Sequence, residues 1–163
     1  MPIFKTLDVS TPTDREILFR RDFTAPPQLL FDCHTVPALV RRWLLGPPGW
    51  TMPVCEIDLR VGGSFRYVWR NEEGTEMGMG GTFREIAPPH RLVTTELFDE
   101  DWTGGETVVS SHFDPEGSGT RMTMSVLYAT RAARDGALQT DMTDGMESGY
   151  ARLDALIAES PAA

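Results

Sequence analysis

The sequence predicts an α+β domain in which a curved antiparallel sheet of about six or seven strands carries two short helices and one long C-terminal helix. Two observations lead to this prediction. Between residues 52 and 128, apolar and polar side chains alternate in short segments separated by turn residues, which is typical of strands joined by hairpins. From residue 138 to residue 157, apolar side chains recur at steps of three and four, which indicates a helix with one apolar stripe.

The first elements are a strand and two short helices. Alternating apolar residues from Glu16 to Phe23 predict the strand. A short helix is expected over residues 28–34, and a second one begins at Pro37, because proline suits the first turn of a helix. The turn residues at 46–49 end the second helix.

Six further strands are expected before the C-terminal helix. They cover Met52 to Leu59, Ser64 to Arg70, Glu76 to Ile86, Arg91 to Phe98, Thr107 to Phe113 and Arg121 to Tyr128. Strands linked by hairpins form an antiparallel sheet with one face free for burial, and a terminal helix is its natural cover. A strongly bent sheet and a single helix need not fill the space between them, so we expect a cavity there.

Composition excludes several classes of function. The chain has 163 residues, which suits one domain, predicted over residues 15–160 after an arm at 1–14. It has neither an apolar run long enough to span a membrane nor an apolar core of a signal peptide, so a cytoplasmic protein is predicted. A net charge of −9 disfavours nucleic acid and anionic membrane surfaces as partners. Because no export signal is recognised, Cys33 and Cys55 are expected to be reduced thiols. Arginine pairs such as Arg20-Arg21 are expected to lie on a solvated face.

Several short motifs follow one another in a characteristic order. They are Phe23-Thr24-Ala25-Pro26-Pro27, the DLRVGGSF segment at 58–65, the GTFREIAPPHRL segment at 81–92, Gly119-Thr120-Arg121-Met122 and the helical segment 145–153. Together, over residues 15–158, they resemble the SRPBCC (START-like) superfamily, and within it the family similar to the C-terminal domain of the heat-shock protein 90 ATPase activator.

This resemblance implies a helix-grip fold with a ligand-sized cavity between the sheet and the C-terminal helix. It names no ligand, and no cofactor is expected. The chain departs from the family pattern at Met146, where an aromatic residue is usual, and at Glu96, where an apolar residue is common. We expect the first change to widen the cavity and the second to place a carboxylate inside it.

The candidate binding site combines apolar residues with a few polar ones. It consists of Trp43, Phe65, Tyr67, Trp69, Met79, Glu96, Trp102, His112, Met146 and Tyr150. The apolar side chains would contact a ligand, Glu96, His112 or Tyr150 would orient one polar group, and Trp102 is a candidate lid residue. The alternatives are that the rings only fill the core, that Trp102 is an exposed loop residue without function, and that Tyr150 is a boundary tyrosine.

Three hypotheses about function follow. The leading one is non-enzymatic binding of a small hydrophobic or amphipathic molecule. The second is a co-chaperone-like module that interacts with a chaperone, although the chain is shorter than an activator with a separate N-terminal domain. The third is a cyclase-type or hydrolase-type enzyme in which Glu96 and His112, on neighbouring strands, act as an acid–base pair; the alternative is that both lie on the convex surface.

The sequence contains none of the common catalytic or nucleotide-binding motifs. Its histidines, at 34, 90 and 112, are far apart, so no metal site is expected. Similar small sheet proteins often form homodimers, but no segment marks an interface, and this alternative stays open.

Overall fold

The computed structural model describes residues 3–159 as an antiparallel sheet with four helices. The strands are β1 (Asp8–Ser10), β2 (Glu16–Phe23), β3 (Thr51–Ile57), β4 (Ser64–Arg70), β5 (Glu76–Ala87), β6 (Arg91–Phe98), β7 (Thr107–Glu116) and β8 (Gly119–Leu127). The helices are α1 (Pro27–Thr35), α2 (Pro37–Trp43), α3 (Arg131–Leu138) and α4 (Met142–Glu159). Residue 160, the last of the predicted domain, lies outside the described residues.

The eight strands form one sheet in the order β1-β2-β8-β7-β6-β5-β4-β3. From β3 to β8 each strand pairs with the next, as hairpins predict, whereas β2 pairs with the last strand, β8. The helices α1 and α2 carry the chain from β2 to β3 at the far edge of the sheet. Helix α4 packs over the concave face, so the predicted helix-grip fold is confirmed.

The N-terminal arm differs from the prediction because it contains a strand. Residues Asp8–Ser10 pair with Leu18–Arg20 and form the edge of the sheet. A strand of three residues is too short for an alternation to reveal it, which is why only six or seven strands were expected.

The C-terminal tail is divided into two helices. Thr130 caps α3 by accepting a hydrogen bond from the backbone N–H of Ala133 at 3.0 Å, and α4 begins at Met142. Leu138 therefore ends α3, where it is 38% exposed, and does not extend the apolar stripe of α4. None of the helices within residues 3–159 is long and apolar enough to cross a membrane.

Gly149 lets α4 approach another helix. A Cβ atom at Gly149 would lie 3.1 Å from the carbonyl oxygen of Trp43, so the close neighbour is the end of α2.

Two apolar clusters form the core beneath α4. The larger lies beside α1 and α2 and includes Trp43, Phe113 and Leu153. The smaller consists of the buried residues Ile17, Phe19, Tyr128 and Ala137. Met146 packs against both clusters. The concave face is thus covered by two apolar clusters, and the larger one contains Tyr67 and Tyr150.

Candidate functional site: a polar group inside the sheet

The register of the sheet decides which side chains face α4. Tyr67 of β4 is paired with Met79 of β5, and Met79 is paired with Phe98 of β6. Paired residues point to the same face, and so do residues two apart on one strand. Glu96 therefore shares the concave face with Phe98, Met79 and Tyr67.

The Glu96 carboxylate has no hydrogen-bond or ion-pair partner among the described residues. Burial is the sole cause that raises its pKa, to about 7. The residue nevertheless keeps part of its surface accessible. The side chain is thus surrounded by protein atoms while part of its surface stays accessible.

Two tyrosine hydroxyls are likewise buried without a hydrogen-bond partner. Tyr67 is 8% exposed and Tyr150 is 4% exposed, and within residues 3–159 neither hydroxyl has a hydrogen-bond partner. Both differ from His34 Nε2, which is fully enclosed and unpartnered, because a water-sized probe still reaches each hydroxyl. Burial is the main cause that raises the pKa of both tyrosines. The charge of Glu96 also raises both, whereas Arg21 lowers that of Tyr150. The charge of Glu96 therefore acts on both hydroxyls in this part of the interior.

Apolar residues on the same face are also incompletely buried. Met124 and Val126 of β8 pair with Phe19 and Ile17, which are 0% exposed. Met124 and Val126 themselves are only partly buried, and so is Met146 of α4. These three side chains are therefore less completely buried than the neighbouring core residues Ile17 and Phe19.

A row of aromatic rings connects the interior with the surface. Successive ring centroids lie between 5.0 and 6.5 Å apart. In order, the row consists of Phe83, Phe65, Tyr67, Trp69, Phe98 and Trp102. The last ring belongs to the loop between β6 and β7 and is 41% exposed. This position keeps Trp102 a candidate lid residue.

Trp43, one of the expected ligand contacts, is buried in the core. It is 2% exposed, and its Nε1 donates a hydrogen bond to the carbonyl oxygen of Cys33 at 2.8 Å. Its ring stacks on Tyr150 with 5.4 Å between centroids. Trp43 is thus a core residue that holds the Tyr150 ring in place.

The expected pairing of Glu96 with His112 is wrong. The two residues do lie on neighbouring strands, but Glu96 pairs with Thr107 and His112 pairs with Arg91. Because Arg91 and Glu96 are an odd number of residues apart on β6, they point to opposite faces. His112 contacts the Arg91 guanidinium on the convex face. No acid–base pair is formed by these two side chains.

A buried ionic cluster, which the sequence did not lead us to expect, is centred on Arg21. This arginine was assigned to a solvated face, but it is 2% exposed. Its Nε donates to Oε1 of Glu147 at 2.9 Å, and its Nη1 donates to Oδ1 of Asp154 at 3.0 Å. Glu147 also accepts a hydrogen bond from the backbone N–H of Leu7 at 2.8 Å. Burial opposes the charge of Arg21, yet the bonds to both carboxylates outweigh it and raise its pKa.

Two clefts on the protein surface lie apart from this interior group. One, of about 260 Å³, is bordered by the ends of β3 and β4 and includes Phe65. The other, of about 570 Å³, lies between residues 12–16 and Leu127. Neither cleft is lined by Glu96, Tyr67 or Tyr150. Across residues 3–159, no three metal-ligating side chains converge.

A family model matches most of the chain. The model for activator of Hsp90 ATPase homolog 1-like proteins covers residues 24–158. The chain belongs to this family. The motifs from residue 23 to residue 153 therefore identified it correctly. No protein with a curated description is significantly similar in sequence to this chain.

Solved structures of similar proteins support the family assignment and the fold. A crystal structure of a protein from Rhodobacter sphaeroides is 38% identical, with a TM-score of 0.90, and the match covers 95% of this chain and 99% of that one. A Mycobacterium smegmatis protein is 23% identical, with a TM-score of 0.83 and coverage of 96% and 99%. An activator-homologue protein from Silicibacter pomeroyi is 24% identical, with a TM-score of 0.71 and coverage of 88% and 97%. The last two, at this level of identity, show the fold alone.

Proposed function

We propose that this protein binds a small hydrophobic or amphipathic molecule in the space between the sheet and α4. The observation that supports this proposal is the group of unpartnered polar atoms beneath the helix: the Glu96 carboxylate and the hydroxyls of Tyr67 and Tyr150. They lie among apolar side chains, and none of them has a hydrogen-bond partner within residues 3–159.

Buried polar atoms without partners lower the stability of a protein unless they serve a function. A buried polar atom without a hydrogen bond costs about 1–3 kcal/mol, and an unpaired buried charge costs more. Ordinary cores avoid these costs by pairing polar atoms or by omitting them. A bound molecule with one polar group and an apolar body would satisfy both the polar atoms and the surrounding surface, as ligand sites generally do.

The aromatic row supplies the apolar wall of the proposed site. Tyr67, Trp69 and Phe98 would contact the body of the ligand, with Met79 and Met146 as flexible neighbours. Trp102, at the exposed end of the row, would cover the entrance. His112 has no part in this proposal because it faces the other side of the sheet.

The test is a ligand screen in which one variant fills the interior. Wild-type protein is screened against fatty acids, polyketides and aromatic compounds by thermal shift and native mass spectrometry. Met146→Trp would occupy the space beneath α4, so we expect it to fold and to lose the bound compounds. Leu97→Trp is the matched control, since Leu97 is 44% exposed on the strand of Glu96 but points to the opposite face.

Two outcomes would reject the proposal. In the first, no compound of the three classes binds to the wild-type protein. In the second, compounds bind equally well to the wild-type protein and to a folded Met146→Trp protein, which would place the binding elsewhere.

A second candidate function comes from the family to which the chain belongs. Its description names an activator of the Hsp90 ATPase, so a co-chaperone-like interaction is a distinct alternative. A pull-down with a purified Hsp90 homologue, followed by measurement of its ATPase rate, tests this alternative. A rate that does not change at saturating protein would reject it.

A further inference from the structure

The electrostatic setting of Glu96 bears on the kind of ligand that the site selects. Burial is the main cause that raises the pKa of Tyr67 of β4, Tyr128 after β8 and Tyr150 of α4, and the charge of Glu96 also raises all three. Arg21 acts in the opposite sense on Tyr150 and lowers its pKa. These three neighbours are neutral hydroxyls. No positive side chain opposes the effect of burial on the pKa of Glu96. The carboxylate thus lies in the interior without a counter-charge.

The interior arginine is not available as this counter-charge. Arg21 binds Glu147 and Asp154 with four hydrogen bonds of 2.9–3.0 Å. Its guanidinium also lies over the ring of Phe23, with 4.9 Å from Cζ to the centroid. It also lies over the ring of Tyr150, with 5.8 Å from Cζ to the centroid. The hydrogen bonds of this cation are thus made to Glu147 and Asp154, and none is made to Glu96. Within residues 3–159, no positive side chain is therefore free to pair with Glu96 when its carboxyl group is ionised.

The surroundings of Glu96 also favour a positive charge. The rings of Tyr67, Trp69 and Phe98 lie on the same face, and the faces of aromatic rings attract cations. The net charge of −9 draws cations toward the protein and repels anions. A carboxylate and aromatic rings together are the groups that recognise an organic ammonium.

We propose that the ligand is a hydrophobic amine, whose ammonium group binds the Glu96 carboxylate while its apolar body lies along the aromatic row. The inference rests on the binding function proposed above and adds the charge of the ligand to it. A ligand with a carboxylate head would meet a like charge in the same place. A neutral ligand would leave the carboxylate without a counter-charge.

Three probes with the same ring system and different head groups test this inference. They are 2-(2-naphthyl)ethylamine, 2-(2-naphthyl)ethanol and 2-naphthylacetic acid, titrated at pH 8 by calorimetry or by quenching of tryptophan fluorescence. We expect the amine to bind at least about tenfold more tightly than the alcohol, since a charge-assisted hydrogen bond replaces a neutral one. The acid should bind most weakly.

The variant Glu96→Gln separates this effect from general affinity for the ring. It should weaken binding of the amine to the level of the alcohol and leave the alcohol within about threefold of its wild-type affinity. Glu85→Gln is the matched control, because it removes one exposed carboxylate from the neighbouring strand β5 and should preserve the preference for the amine.

The outcomes distinguish this inference from the binding function itself. Equal binding of amine and alcohol to the wild-type protein, or a preference for the amine that persists in Glu96→Gln, overturns the inference while the binding function stands. If none of the three probes binds, the inference also fails, and the separate screen with Met146→Trp decides the binding function.

Discussion

Arg21 and Glu96 are two polar residues on the concave face of the sheet, and their surroundings differ completely. Arg21 is held by two carboxylates of α4 and lies over an aromatic ring. Glu96 has neither an ion pair nor a hydrogen bond within residues 3–159, although it lies beneath the same helix. The first arrangement is complete and fastens α4 to the sheet. Glu96 provides no such attachment, and its unpaired carboxylate is the group on which the proposed binding function rests.

The largest change in the free energy of unfolding is expected from removing the Arg21 side chain. Arg21→Met removes the shared partner of Glu147 and Asp154, and breaking a buried ion pair typically costs about 3–5 kcal/mol. Urea unfolding monitored by circular dichroism measures the change in the free energy of unfolding. Arg20→Met is the control, because Arg20 pairs with Asp8 at the surface and should change stability by less than about 1 kcal/mol. Equal effects of the two variants would contradict the assigned role of Arg21.

A smaller change in stability, in the opposite direction, is expected when Glu96 is replaced by glutamine. Burial raises its pKa to about 7 from an ordinary value of 4.5, so the folded state retains a proton that the unfolded state has already lost. The stability that this group contributes is present below pH 4.5 and is lost as the pH rises toward 7. Glu96→Gln should therefore stabilise the protein at pH 8 by on the order of 2–3 kcal/mol and have little effect at pH 4.

The comparison of wild type and variant across pH isolates Glu96 from other titrating groups. His34 acts in the opposite sense, because burial lowers its pKa to about 4 and stability falls as the pH drops below its ordinary value. This contribution is the same in both proteins and cancels in the difference. A difference between wild type and Glu96→Gln that does not vary with pH would show that the carboxylate is not buried as described.

The smallest effects are expected at the two tyrosine hydroxyls. Tyr67→Phe and Tyr150→Phe remove a hydroxyl that bonds to no described residue, so each should raise the free energy of unfolding by about 1 kcal/mol, the lower end of the cost of an unpaired buried polar atom. Thermal unfolding of the free protein measures this change. A loss of stability in either variant would contradict the description of that hydroxyl as unpaired.

Much of the fold could be predicted from the sequence because its signals are local. The bounds of β4 and β6 are as predicted, since sharp alternation is flanked by turn residues on both sides. The strand β1 was not predicted because three residues are too few to show an alternation of apolar and polar side chains. The break between α3 and α4 was not predicted because the helical spacing of apolar residues continues across it.

The site was less predictable because it depends on which faces of different strands meet. The shared face of Phe65, Tyr67 and Trp69 follows from one strand, and the family pattern pointed to Glu96. The error at His112 came from joining two strands without knowing their register. Within β7, however, Val109 and Phe113 mark the buried face and place His112 opposite. The alternation of β2 likewise placed Arg21 between Phe19 and Phe23, on the apolar face.

The double attachment of α4 has a mechanical consequence. Glu147 and Asp154, two helical turns apart, both hold Arg21, and Glu147 also ties down the N-terminal arm through Leu7. Any movement of α4 away from the sheet would therefore break the hydrogen bonds of both carboxylates to Arg21. The same movement would also break the bond between Glu147 and Leu7, so the helix, β2 and the N-terminal arm are coupled mechanically.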